Sequence, residues 1–192
     1  MSHTLSQAEN ALNALGPSPF PLTMGGASLA VEQAVNAMSK RDWLVCGPRF
    51  RIAAALRGCP PERLLDPADG AKPYKLAPST LNPADRALHA VGLAMATNAP
   101  VLCILGEASV ANGAMTEALN VAQLSAAPVI FFCIQRNLKD SPVTQQSAAS
   151  PIALAQAYGI SAVQTDNIEI ITHTIADARS AAKPFVLQFD LE

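Results

Sequence analysis

The stretches Val101-Leu-Cys-Ile-Leu105 and Val129-Ile-Phe-Phe-Cys-Ile134 carry no polar side chain. Runs this short, rich in β-branched and aromatic residues, read as strands rather than helices. A strand that is apolar on every residue has no face to give to water. It must lie in a sheet covered on both sides, the situation of parallel strands in α/β proteins. The intervening segments agree. Helices are predicted over Leu29–Ser39 with Ser28 as cap, Phe50–Leu56 ended by Gly58, and Pro83–Thr97 with Leu88, Val91 and Met95 on one stripe. Others are predicted over Asn112–Ser125, over Ile152–Tyr158 stopped by Gly159, and over Ile168–Ala182. Trp43–Cys46, Ala162–Thr165 and Phe185–Phe189 read as further strands. The predicted fold class is α/β, a Rossmann-like parallel sheet with helices on both faces.

Residues 1–27 read as an N-terminal arm. A weak helical pattern from Leu5 to Leu15 runs into Gly16-Pro-Ser-Pro-Phe-Pro21 and Met24-Gly-Gly26, a Pro and Gly density that favours an extended segment. Residues 28–192 suit a single domain around one sizeable core. Gly70–Leu81 reads as loop, because Lys72-Pro73 and Ala77-Pro78 bias the residue before each proline away from helix.

Half of the residues are apolar and 15% are charged, which implies a well-packed body with a face available to a partner. A formal net charge of −2 provides no basic footprint, so nucleic-acid binding is excluded as the leading class. The longest apolar run is far too short to span a bilayer, and Met1–Asn10 has neither the basic nor the apolar region of a signal peptide. Cys46, Cys59, Cys103 and Cys133 form no CxxC pair. Buried free thiols in a reducing cytoplasm fit this usage better than zinc or disulfides.

Chemistry concentrates at the ends of the two apolar strands. Gly106-Glu107-Ala108 leaves the first and leads through Gly113 into a helix, while Gln135-Arg136-Asn137 leaves the second. Parallel sheets bind ligands at the carboxyl ends of their strands, and small residues there let backbone N–H groups approach a phosphate. On spacing alone the same residues also describe an ordinary strand-turn-helix corner.

The chain from Asp42 to Phe189 resembles the α subunit of thiamine-diphosphate-dependent 2-oxo acid dehydrogenase E1 components. That family reads Gly-Asp-Gly after one strand and Asn-Asn after the next; Glu107 and Ala108 stand where its Asp and second Gly would be, and Gln135 and Arg136 where its two Asn would be. Asp42, Arg49, Arg57-Gly58, Gly113, Glu117, Asn120, Pro128, Tyr158-Gly159-Ile160, Asp166, Arg179 and Pro184 match further family positions, while Pro48 replaces a Tyr and Arg51 a His. The resemblance implies a thiamine-diphosphate-binding fold, thiamine diphosphate and Mg²⁺ as cofactors, and a β-type, pyrimidine-domain partner subunit or self-association. It places Arg49, Gly106, Glu107, Ala108 and Arg136 at the cofactor. The family's Mg²⁺ is held by the motif Asp, the second Asn and a backbone carbonyl. Glu107 can still offer a carboxylate, but Arg136 carries donors only and stays protonated. A one-residue shift would bring Asn137 to the ligand position instead. Arg136 either pairs with Glu107 across the metal position or grips a diphosphate through its fork.

The family continues beyond the last strand into a loop carrying a His, and its stretch before the Pro83 helix is longer than Ala77-Pro-Ser-Thr-Leu81. Of the histidines, His89 reads as a core or interface residue of an apolar stripe and His173 as exposed. The carboxylates of Asp66-Pro-Ala-Asp-Gly70 read as solvated turn groups. Small residues Ala90, Gly92 and Ala94 mark the Pro83 helix, together with the Asn112 helix, as a subunit-interface element. No catalytic residue follows from the sequence, because the carboxylate that meets the aminopyrimidine comes in this family from the β subunit. Three readings result: a reduced E1α-type subunit that has lost standard Mg²⁺–cofactor binding, an active α subunit, and a binding domain for another phosphorylated ligand.

Overall fold

The computed structural model describes residues 3–15, 26–60, 63, 72–78, 82–83, 85–136 and 146–191. Along the chain run α1 (Leu5–Asn13), α2 (Gly26–Asn36), β1 (Trp43–Cys46), α3 (Ile52–Leu56), α4 (Asp85–Thr97), β2 (Val101–Gly106) and α5 (Glu107–Val110). Then come α6 (Gly113–Ser125), β3 (Val129–Arg136), α7 (Pro151–Ala157), β4 (Ser161–Thr165), α8 (Ile171–Ala181) and β5 (Phe185–Leu191). All strand pairs are parallel, in the order β1-β2-β3-β5-β4. The expected α/β fold with a fully parallel sheet is the observed one.

Alternate residues of each strand feed two separate cores. Leu102, Ile104, Ile130, Phe132, Leu187 and Phe189 pack with α1, α2, α3 and α8. Val101, Cys103, Leu105, Val129, Phe131, Cys133 and Val186 pack with α4, α6 and α7 on the other face. This division follows from handedness. From β1 through β4 the chain steps one way across the sheet, and right-handed crossovers put α4, α6 and α7 on one face. From β4 it steps back to β5, so α8 falls on the opposite face.

Some local readings are corrected. Ser28 is buried inside α2, which begins two residues earlier at Gly26, so it is not the residue that opens the helix. In α4 the buried stripe is Ala87, Ala90, Val91 and Ala94, while Leu88 and Met95 point outward. Ala90 and Ala94 therefore serve this chain's own core and not a subunit interface, because their size lets α4 lie close on β2. His89 is exposed and belongs to no core. His173 is exposed, as expected, and faces Asp177 one turn on at 3.3 Å. The pair Asp66 and Asp69 lies outside the described residues.

The N-terminal helix is anchored. Thr4 and Gln7 form a reciprocal capping box, and Ala8 and Leu12 are fully buried in the first core. Cys46, Cys59, Cys103 and Cys133 are all free and buried. Among the described residues, no helix is long and apolar enough to cross a membrane.

Candidate functional site

The carboxyl ends of β1, β2 and β3 lie side by side, because Cys46 pairs with Ile104 and Gly106 with Ile134. Gly106 closes β2 in an extended conformation, and Glu107 opens the short helix α5. β3 runs through Gln135 to Arg136. Glu107 and Arg136 therefore meet across two neighbouring strand ends. The Arg136 Nε donates to Glu107 Oε1 at 2.9 Å, and the Arg136 backbone N–H donates to the same oxygen at 3.0 Å. The Glu107 side chain is 12% exposed and that of Arg136 41%. Of the two roles left open for Arg136, the pairing with Glu107 is present.

Gly106 and Ala108 flank that carboxylate, and the ring of Phe50 covers the Gly106 backbone: a Cβ built there would lie 3.7 Å from it. Gln135 sits in register with Asp190 of β5. Asn137 lies outside the described residues. Arg49 is exposed on a tight turn, Pro48–Phe50, directly after β1. Among the described residues, no group of three or more His, Cys, Asp or Glu side chains is placed to hold a metal ion.

Sequence reasoning missed one residue here. Arg86, in the first turn of α4, is buried, and its guanidinium lies against Gly47 at the end of β1. A Cβ on Gly47 would fall 2.4 Å from its Cζ, so only glycine leaves room for it. Burial draws the Arg86 pKa down, the neighbouring Cys46 and Cys103 act against that, and the cation of Arg49 adds to it. The available signal was an arginine in the first turn of an alanine-rich helix, following a glycine at a strand end.

At the other end of the sheet, three positions that carried the family resemblance form a clamp. Buried Asp42, just ahead of β1, accepts from Arg179 Nε of α8 and from the Ser39 backbone N–H, and its carbonyl accepts from Arg57. These residues tie α2, α3 and α8 to β1 and lie away from the carboxyl-end site. A second polar cluster crosses β4 and β5. Gln164 and Gln188 each donate to Asp190, at 2.6 and 2.7 Å.

The model of the dehydrogenase E1 component family matches residues 29–186, from within α2 to the start of β5. This chain belongs to the dehydrogenase E1 component family. It is 29% identical over 175 residues to the 3-methyl-2-oxobutanoate dehydrogenase subunit alpha of two Mycobacterium tuberculosis strains, covering 82% of this chain and 47% of each relative. The E1 chain thus spans about half the length of these relatives. Its fold is shared with benzoylformate decarboxylase from Polynucleobacter necessarius, at a TM-score of 0.67 and 14% identity over 84% of this chain and 32% of that one. It is shared equally with an enzyme from Mycobacterium smegmatis assigned to the thiamin diphosphate-dependent class, at a TM-score of 0.66 and 18% identity over 90% and 32%.

Proposed function

We propose that this E1 chain is a reduced α-type subunit that works beside a β-type partner in the cytoplasm, and that an internal ion pair has replaced its Mg²⁺–thiamine diphosphate grip. One observation carries the reading: Glu107 Oε1 receives both the backbone N–H and the Nε of Arg136. Mg²⁺ demands near-octahedral oxygen ligands at short distance. Arg136 has no lone pair to offer and places a permanent positive charge where the ion would sit. The residues present therefore do not fit the metal, and the chain's role is structural or regulatory.

The partner follows from the chemistry that remains. Thiamine diphosphate, where it is bound, acts as a carbanion-stabilising group, and needs a carboxylate against its aminopyrimidine. In the family this chain resembles, that carboxylate comes from the β subunit. Residue by residue, what this chain supplies is positive charge and backbone at the diphosphate end. A fully active α subunit, acting on branched 2-oxo acids like those in the relatives' name, is the competing reading.

The test is co-expression with a β-type subunit from the same genome, followed by calorimetry of the complex with thiamine diphosphate, with and without Mg²⁺. A stable complex that shows no Mg²⁺-dependent binding in the micromolar range supports the proposal. Micromolar, Mg²⁺-dependent binding overturns it in favour of the active subunit.

A further inference from the structure

The two edges of the sheet are finished differently. At β1, the Leu44 backbone N–H donates to the Lys75 carbonyl at 2.7 Å, and the Leu44 carbonyl accepts from the Ala77 N–H at 2.8 Å. Leu76 thereby bridges to Leu44 as a further strand would. The Lys75 ammonium lies over the Trp43 ring, 4.8 Å from its centre. A covering segment and a lysine are two of the usual means of keeping an edge from pairing again. Three of the four β1 residues are buried.

At β4 neither device is present among the described residues, and its one paired neighbour there is β5. None of its five residues is buried. Ser161-Ala-Val-Gln-Thr165 contains no charge, no proline and no glycine. It pairs with β5 in unbroken register, without a bulge to turn it aside. One row of its backbone N–H and C=O groups therefore faces outward.

The residues of β4 suit a copy of themselves. Turned antiparallel about a two-fold axis, Val163 stands opposite Val163, Ala162 opposite Gln164 and Ser161 opposite Thr165. That register pairs β-branched with β-branched and hydroxyl with hydroxyl. The charges beyond the strand agree. Asp166 follows its carboxyl end, and Lys183 stands two residues before Phe185, the register partner of Ser161. Both are exposed, and neither has an ion pair among the described residues. Antiparallel pairing brings the carboxyl end of one β4 to the amino end of the other. Each Asp166 then approaches the other copy's Lys183 across two strand spacings, about 10 Å between backbones, within the combined reach of the two side chains. A parallel arrangement would set like ends, and like charges, together.

We propose that β4 is a self-association edge: two copies of this chain join antiparallel through Ser161–Thr165 into one continuous sheet, five strands from each copy. So short an edge is a small contact, and the dimer forms reversibly with protein concentration. This association involves neither the cofactor nor the β-type partner, so its failure leaves the function proposed above untouched.

The experiment cross-links the full chain under mild oxidation, using Val163→Cys and Ser161→Cys, and follows association by sedimentation. The four native thiols are buried and stay silent. Val163 faces itself across the axis within the separation a disulfide spans, whereas the two Ser161 residues are on the order of 14 Å apart. Expected is a covalent dimer for Val163→Cys, none for Ser161→Cys alone, and a covalent dimer again when Thr165→Cys is added to Ser161→Cys. In sedimentation the wild type passes from monomer to dimer with rising concentration. Lys183→Glu should raise the Kd roughly threefold or more, and adding Asp166→Lys should recover it. Thermal melting checks that each variant folds; if Val163→Cys does not, the Ser161→Cys and Thr165→Cys pair decides. A chain monomeric at every concentration, or a folded Val163→Cys that gives no covalent dimer, overturns the edge. A dimer dissolved by Leu124→Glu and indifferent to Lys183→Glu overturns it as well.

Discussion

At the Glu107 corner, the carboxylate and Arg136 form a pair whose charges offset each other, and the proposed reading turns on that pairing. The pair is partly open to water, so its worth lies below that of a fully buried one, for which losing one partner costs roughly 3–5 kcal/mol. Glu107→Ala removes the acceptor of two Arg136 donors and is expected to cost about 1–3 kcal/mol. Glu107→Ala with Arg136→Ala should recover part of that loss, as read from urea midpoints in a double-mutant cycle; strictly additive losses would count against coupling. Glu107→Gln keeps an oxygen for the Arg136 backbone N–H and should fall between. The pairing was legible in the sequence because both residues sit at the ends of recognisable apolar strands. Arg86 was not, because nothing in a helical pattern says that a long charged side chain will turn inward over a glycine distant in sequence.

At the scale of elements, the strands were legible and the helix faces less so. A wholly apolar strand in a parallel sheet has one solution, buried on both sides. An alanine-rich helix has several: in α4, the large residues Leu88 and Met95 look like the core stripe, yet Ala87, Ala90 and Ala94 are turned inward because the sheet is approached closely. The same close packing leaves one thiol on each of β1, β2 and β3 without water. Burial pushes Cys46 and Cys133 up to about 12, and Cys103 is raised too. In the unfolded chain a thiol ionises near 8.5, roughly. Between those values the native state holds protons that the unfolded state has released. Stability from these groups is therefore complete below the unfolded pKa and is lost as pH rises toward the folded one. Each can contribute a fall of up to about 1.4 kcal/mol per pH unit. Denaturant midpoints should drop between about pH 8 and about pH 10, less steeply in Cys133→Val; a flat profile would contradict this burial.

For the whole molecule, the layered architecture and family were legible, because both depend on many residues at once. A partner surface depends on what the layers leave uncovered. Leu88 and Met95 of α4 and Leu124 of α6, 37%, 54% and 80% exposed, stand on helices of the same layer, and Gly92 between the first two has open space above it. If the β-type partner or a second copy covers this face, Met95→Glu with Leu124→Glu should weaken association by roughly tenfold or more while leaving the melting temperature unchanged. Sedimentation of the complex reads this directly, and an unaltered profile would move the interface elsewhere. The strand order β1-β2-β3-β5-β4 sets a condition of another kind. The last strand in sequence is an interior strand in space, so β4 has no neighbour and β3 has a bare edge until Phe185–Leu191 arrives between them. Closure of the sheet is thus postponed until β5 has been synthesised. A nascent chain that has not yet delivered β5 displays two unpaired hydrogen-bonding edges, which makes the time before the seventh residue of β5 emerges an interval open to mispairing.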